Sequence, residues 1–278
     1  MPDPSLERLR SVVAAIGPVV VAFSGGVDSA LVAWVANDVL GPDRALAVTA
    51  VSPSLPDVER ASCAELAESW GLRWRVVETD EMTRAAYRRN DPDRCFHCKD
   101  ALMDAVVPLA AAEQATVVLG VNVDDLGDHR PGQRAAADQG ARFPLVEAGL
   151  TKHDVRRCSA ELGLVTWDKP AAACLASRLP YGTSVSVDLL GRVERAERGL
   201  RDLGFVDLRV RHYDDLARVE VPPSDFPRVI DGRDEVVAAV RAAGYRYVTL
   251  DLEGLRSGNL NEALVPEAMR SANAGPDR

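Results

Sequence analysis

The sequence predicts an α/β protein, with an open, mainly parallel sheet over residues 1–180 and a smaller α+β domain over residues 181–278. Three observations carry that expectation. Apolar strand-like runs alternate with helical patterns through the first part of the chain. A glycine turn joins the first apolar run to the helical pattern behind it, and from Ser186 onward the order changes to helix, strand, strand, helix, strand.

The elements follow in order. Residues 19–23, all apolar, lead into Ser24-Gly25-Gly26 and then a helical pattern through Leu31, Val32, Val35 and Leu40 that stops at Gly41-Pro42. Residues 45–51 form a second apolar run, 56–70 a helix closed by Gly71, and 74–78 a third strand with a β-branched centre. A helical segment at 99–113 precedes another strand at 116–121. Consecutive strands separated by helices imply parallel pairing through right-handed crossovers. Residues 120–140 read as a long polar loop after a central strand, where open α/β sheets carry function. Beyond Ser186, residues 187–203 are an amphipathic helix stopped by Gly204, 206–212 and 217–221 paired strands around Tyr213-Asp214-Asp215, 227–243 a helix and 245–252 a last strand.

With 33 Lys+Arg against 42 Asp+Glu, the chain carries a formal charge of −9, so it lacks the cationic surplus that binding to phosphate backbones requires, and a nucleic-acid partner is not expected. Hydrophobic residues make up 47% of the chain, enough for a packed core and too many for a disordered one. The longest apolar stretch, residues 12–23, is broken by Gly17-Pro18 and falls short of a bilayer span. The first residues lack the basic and apolar regions of a secretory signal, so no membrane is expected and the expected compartment is the cytoplasm. Five cysteines in such a chain read as metal, redox or catalytic thiols and a few buried ones rather than as a disulfide framework.

Ser24-Gly25-Gly26-Val27-Asp28-Ser29 sits between a buried strand and a helix. Adjacent glycines permit positive φ and close backbone approach, the helix start offers unpaired N–H groups, and Ser24 and Ser29 add hydroxyls, which together make an anion cradle. A capped tight turn is the plainer alternative. The spacing is neither that of the common phosphate loop nor that of dinucleotide binders. It resembles the signature of the PP-loop ATP pyrophosphatases, which implies a sheet of adenine nucleotide alpha hydrolase-like type, ATP with Mg²⁺ as cofactors, and contacts to ATP from Ser24, Gly25, Gly26, Asp28 and Ser29.

Two further blocks, Asn122 to Gly132 (NVDDLGDHRPG) and Pro170 to Arg178 (PAAACLASR), resemble the ATP-dependent sulfur transferases of the LarE family, as do Arg209-Val210-Arg211-His212 and the stretch from Glu253 to Asn259. The resemblance spans residues 10–265. It implies adenylation of a carboxylate on a pyridinium-3,5-biscarboxylic acid mononucleotide, then replacement of AMP by sulfur, in the making of the nickel-pincer nucleotide cofactor. A free carboxylate resists substitution until its oxygen becomes a leaving group, which is what adenylation provides. Cys174 matches the family's sulfur-donating cysteine. Family members with that cysteine alone give up their own sulfur and are left with dehydroalanine. The resemblance also implies a homo-oligomer.

Arg94-Cys95-Phe96-His97-Cys98-Lys99 adds a C-x-x-C pair on a loop before a helix, a pattern that suits a metal or a redox role. Cys95, Cys98 and Cys174 match a three-cysteine subgroup of the family, implying a [4Fe–4S] cluster with one iron open to sulfide. Zinc at the same thiols, or two idle thiols, are the alternatives. Cys63 and Cys158 fall on helical patterns and read as fillers. Arg209 and Arg211 alternate along a strand and so share a face, a geometry that clamps phosphate. The family match assigns them, with Arg256, Ser177 and Arg178, to the substrate, and assigns Lys99 to ATP or substrate. Gly120, Asp125, Asp128 and Arg130 lie in the loop, the first two expected at ATP. Glu197 and Glu220 are weak metal candidates by the same match, and each equally fits a solvated position. Rival readings from the sequence are a tRNA-thiolating PP-loop enzyme, an ammonia-using PP-loop ligase, and a nucleotide sensor without turnover.

Overall fold

A computed structural model describes residues 3–127, 131–170 and 172–256. The chain divides into two compact units, Met1–Arg88 with Asp93–Ala172, and Arg89–Pro92 with Ala173–Arg278. Residues 173–180, drawn into the first domain by the sequence reading, therefore belong with the second unit. The reason lies in their bonds: Asn90 Nδ2 donates to the carbonyls of Pro180 at 2.8 Å and Thr183 at 3.0 Å, and Arg178 pairs with Glu197.

In the first unit the order is α1 (Pro4–Ile16), β1 (Val19–Ala22), α2 (Val27–Leu40), β2 (Ala45–Val51), α3 (Asp57–Ser69), β3 (Arg73–Glu78), α4 (Ala85–Arg89), α5 (Arg94–Ala112), β4 (Thr116–Leu119), α6 (Pro131–Asp138), α7 (Pro144–Glu147) and α8 (Lys152–Glu161). The four strands pair in parallel in the order β3-β2-β1-β4. β1 is buried on both faces, which is why it reads as an unbroken apolar run. Val19 and Val21 join Leu31, Val35, Leu145 and Leu150 in one core layer, and Val20 joins Leu46, Met103 and Val106 in the other.

Two boundaries differ from expectation. The C-x-x-C pair is not in a loop: α5 begins at Arg94, so Cys95 lies in its first turn and Cys98 at the start of its second. Likewise the stretch after β4 holds a short 3₁₀ turn, Val123–Gly127, and then α6, which opens on Pro131, a residue suited to a first helical turn, and continues through Ala135-Ala136-Ala137.

The strand order reverses at β1. From β1 the chain moves outward to β2 and β3 and then returns to place β4 on the other side, so a crevice opens beyond the carboxyl ends of β1 and β4, where open parallel sheets take ligands. Gly120, directly after β4, touches the start of α2: a Cβ there would lie 2.5 Å from Ser29 N and 2.7 Å from Asp28 C. Backbone cannot swing aside as a side chain can. Gly120→Ala is therefore expected to cost roughly 1–3 kcal/mol, the usual range for overpacking. Urea denaturation checks this, and a variant as stable as the parent would show that the contact relaxes freely.

In the second unit α9 (Val187–Asp202) is capped by Ser186, whose hydroxyl accepts from Leu189 N at 3.3 Å. β5 (Arg209–Tyr213) pairs antiparallel with β6 (Leu216–Glu220), which pairs in parallel with β7 (Tyr247–Leu250). Between them the single helix expected over 227–243 is two, α10 (Phe226–Asp231) and α11 (Arg233–Ala242), broken at Gly232. Leu200, Val210, Val219, Val236, Val240 and Tyr245 form the core of this unit. Among the described residues no helix is long and apolar enough to cross a membrane.

Candidate functional site

The glycine turn leaves β1 at its buried end. Phe23 N donates to Val48 O at 2.8 Å, which ties the end of the strand to β2, and the chain then turns through Gly25 at φ +68°. Gly26 is not in the left-handed region; at φ −79° it is the N-cap of α2 and offers no side-chain cap, so the helix start keeps its N–H groups for another acceptor. Ser29 Oγ closes the turn from within, accepting from Ser24 N at 3.2 Å, donating to Gly26 O at 3.1 Å and lying 3.0 Å from Ser24 Oγ.

Helix α3 supports the turn from the side. Lys169 Nζ donates to Gly25 O at 3.2 Å and Ser62 Oγ at 3.2 Å and pairs with Glu59 at 2.9 Å. A Cβ on Gly25 would lie 3.0 Å from the sulfur of Cys63, so the turn passes directly over that thiol. Cys63 is buried, and burial pushes its pKa up, as suits a filler.

Asp28, in the first turn of α2, accepts from Asn122 Nδ2 at 3.0 Å and forms an ion pair with Lys152 at the start of α8. Lys152 N in turn donates to Asp124 Oδ2 at 2.8 Å. Neither Lys152 nor Lys169 was a candidate from sequence. A signal existed for the first: Thr151 and Asp154 form a capping box, so Thr-Lys-His-Asp marks a helix start with lysine as its first residue. Lys169, in Asp168-Lys169-Pro170, has no such pattern around it. Asp125 is buried, and its carboxylate accepts from Asn122 N at 3.1 Å, a bond that shapes the loop behind β4. Asp128 and Arg130 lie outside the described residues.

Cys95 and Cys98 stand three residues apart at the start of α5 and so on one face; Cys95 is exposed and Cys98 partly so. Lys99 follows them. Burial holds its ammonium below the usual lysine range, against the opposing charge of the Cys98 and Cys95 thiols. Among the described residues no three His, Cys, Asp or Glu side chains gather in the pattern of a metal site.

The second unit holds the remaining candidates. Cys174 precedes a 3₁₀ turn, Leu175–Arg178, and is partly exposed. Its carbonyl accepts from Ser177 N at 3.0 Å, Ser177 Oγ at 2.7 Å and Arg178 Nη1 at 3.1 Å. Arg178 is buried and pairs with Glu197 at 2.8 Å; Arg211 is buried and pairs with Glu220 at 3.0 Å while donating to Ser177 O at 2.6 Å. Their burial in these pairs corrects the reading of Glu197 and Glu220 as solvated residues. Both glutamates are fully buried; Glu197 accepts from Arg178 through Oε1 and from Arg201 through Oε2 at 3.0 Å, and Glu220 accepts from both Arg211 and Arg218 through Oε1 at 3.0 Å each. Arg209 is different. It is partly exposed, donates to Arg256 O at 3.0 Å, and has its pKa lowered by desolvation and by the positive charges of Arg178 and Arg211. Arg256 itself pairs with Glu253.

Comparison with known proteins bears on the family of the chain. The family model described as NAD synthase matches residues 6–105, which hold the glycine turn and the C-x-x-C pair. An uncharacterised protein of Synechocystis sp. is 46% identical over 268 residues, covering 95% of this chain and 100% of the relative. An uncharacterised protein of Methanocaldococcus jannaschii is 26% identical over 86% of this chain and 91% of its own. The pyridinium-3,5-bisthiocarboxylic acid mononucleotide synthase of Lactiplantibacillus plantarum is 40% identical over 248 residues, 89% of this chain and 90% of its own. At that identity and coverage, with the glycine turn at the switch point of a parallel sheet, the chain belongs to the LarE-type family of the pyridinium-3,5-bisthiocarboxylic acid mononucleotide synthase.

Proposed function

We propose that the chain is an ATP-dependent sulfur transferase acting on pyridinium-3,5-biscarboxylic acid mononucleotide. The observation that carries this reading is the 40% identity over 90% of a synthase named for the bisthiocarboxylic product. In the first step a carboxylate oxygen of the substrate attacks the α-phosphorus of ATP and pyrophosphate leaves. In the second, sulfur attacks the carbonyl carbon of the acyl-adenylate and AMP leaves, so that one C–O bond is exchanged for C–S.

Residue roles follow the chemistry. Ser24, Gly25, Gly26 and Ser29 offer N–H and hydroxyl donors to phosphate oxygens, with Gly120 allowing β4 to approach and Lys99 and Asp125 at the margins. Asp28 is the carboxylate that would hold Mg²⁺, a reading supported by its position in the first turn of α2 and its ion pair with Lys152. Mg²⁺ bound there would supply positive charge to the departing pyrophosphate. Arg209, with Arg211, Arg256, Ser177 and Arg178 around it, forms the cationic region for the mononucleotide phosphate.

Cys174 supplies sulfur from its own side chain, its thioester being released by loss of the Cα proton and cleavage of Cβ–S to leave dehydroalanine, or the sulfur arrives as sulfide. The free thiols of Cys95 and Cys98, on one helical face, and of Cys174 are of the donor type that a [4Fe–4S] cluster takes and would be its ligands, although the described residues do not gather them into a metal site. Such a cluster supplies an open iron that binds sulfide. Anaerobic purification with iron and acid-labile sulfide counts on the parent and Cys95→Ala tests this. About four of each per chain, lost in the variant, is the expected result; neither iron nor sulfide returns the sulfur to Cys174 alone.

The reaction is tested by supplying ATP, Mg²⁺, the biscarboxylic mononucleotide and sulfide, and following pyrophosphate by enzyme coupling and thiocarboxylate by mass. Formation of both supports the reading. Pyrophosphate without thiocarboxylate under anaerobic conditions, or neither, refutes it. Light scattering on the same preparation checks the homo-oligomer proposed with it.

A further inference from the structure

Two buried charge triads converge on the segment that carries Cys174. In the first, Glu197 lies between Arg201 and Arg178, and Arg178 Nη1 reaches the carbonyls of Ala173 at 2.6 Å and Cys174 at 3.1 Å. In the second, Glu220 lies between Arg218 and Arg211, and Arg211 Nη1 reaches the carbonyl of Ser177 at 2.6 Å. Each glutamate is fully buried, and each inner arginine nearly so. Glu197 also accepts from Val210 N at 3.1 Å, which ties the first triad to β5, the strand that carries Arg211.

Buried ion pairs seldom add stability over an apolar core of the same shape, because desolvation offsets most of the attraction. Two such triads ending on one short segment therefore call for another account. That segment satisfies only part of its own carbonyls: Cys174 O takes bonds from Ser177 N and Ser177 Oγ as well as from Arg178, while the carbonyls of Ala173 and Ser177 are met by guanidiniums. A planar guanidinium held by a carboxylate on one edge presents fixed donors on the other.

We propose that Glu197 and Glu220, acting through Arg178 and Arg211, are positioning residues that fix the backbone of the Cys174 segment for the sulfur-transfer step. This deepens the assignment of Cys174 as the sulfur-handling residue and rests on it. The bonds run to main-chain carbonyls and not to the sulfur, so the device sets where the thiol stands without consuming it. Misplacing a reacting group by about 1 Å costs on the order of 100-fold in rate, so loosening the segment should act on the second step.

The test uses the full-length protein and three variants. Glu197→Gln removes the charge and keeps an acceptor for Val210 N. Arg178→Met combined with Glu197→Gln also removes the guanidinium that would otherwise be buried without its partner, and so protects the fold. Glu197→Asp keeps the charge on a shorter arm. Hydrogen exchange of the peptide containing residues 173–178 and the rate of Cys174 alkylation by iodoacetamide are read beside pyrophosphate release and thiocarboxylate formation. The expected result is faster exchange in that peptide, an altered alkylation rate, and thiocarboxylate formation down about tenfold or more at an unchanged KM for ATP, with partial recovery in Glu197→Asp. Parent-like exchange and alkylation in the folded double variant would falsify the proposal. If the parent itself forms no thiocarboxylate, the sulfur-transferase reading falls, while exchange and alkylation still decide whether the triads hold the segment.

Discussion

Cys174→Ala is expected to keep releasing pyrophosphate from ATP and the mononucleotide while thiocarboxylate formation falls to background. The two half-reactions separate because the side chains placed around ATP belong to the first unit and Cys174 to the second. The change is also structurally mild. Cys174 makes no side-chain cap to the 3₁₀ turn behind it, and the bonds that hold its segment go to its carbonyl, which alanine retains. Loss of a nucleophilic group with substrate binding intact lowers turnover without raising KM. Coupled pyrophosphate detection and mass analysis of the pyridinium product check both halves in one reaction. Thiocarboxylate at the parent rate would remove Cys174 from the chemistry altogether.

Asp28→Asn is expected to act on the other half, reducing pyrophosphate release by about 100-fold or more, the scale on which a lost electrostatic contact to a developing charge is felt. Its carboxylate faces a cation and an amide, Lys152 and Asn122, at the N-terminus of α2. Asparagine keeps the shape and removes the charge that Mg²⁺ needs. The cost to folding should be small, about 0–1 kcal/mol, since the Lys152 side chain remains 37% exposed and exposed pairs contribute little. A thermal melt separates the two effects: a near-parent melting temperature with lost adenylation is the predicted outcome, and parent-like pyrophosphate release would mean that another residue holds the metal.

Much of the geometry around the glycine turn was legible before folding. A strand buried on both faces announces itself as an unbroken apolar run, and a double glycine between it and a helix leaves few alternatives to a tight turn with exposed N–H groups. The arginine alternation in β5 was equally plain, because period two is a local property of the chain. Helix starts were harder. Arg94 to Lys99 reads as a loop since its first turn is polar, and α6 hides in a stretch rich in aspartate and glycine.

Taken alone, the sequence determined the order of the strands, most of the helices between them and the place of the glycine turn, all of which depend on neighbours within a few residues. Only the tertiary structure decided that β4 lies beside β1, so that Gly120 must admit Ser29, and that Lys152 meets Asp28 from 124 positions away. It also placed Glu197 and Glu220 in the interior as partners of Arg178 and Arg211 rather than in solvent. The physical reason is one of range. Periodicity reports which face of an element is apolar, but a single carboxylate on that face looks the same whether water, a metal or a distant guanidinium completes it, and the choice is made only when the chain brings the partner within 3 Å.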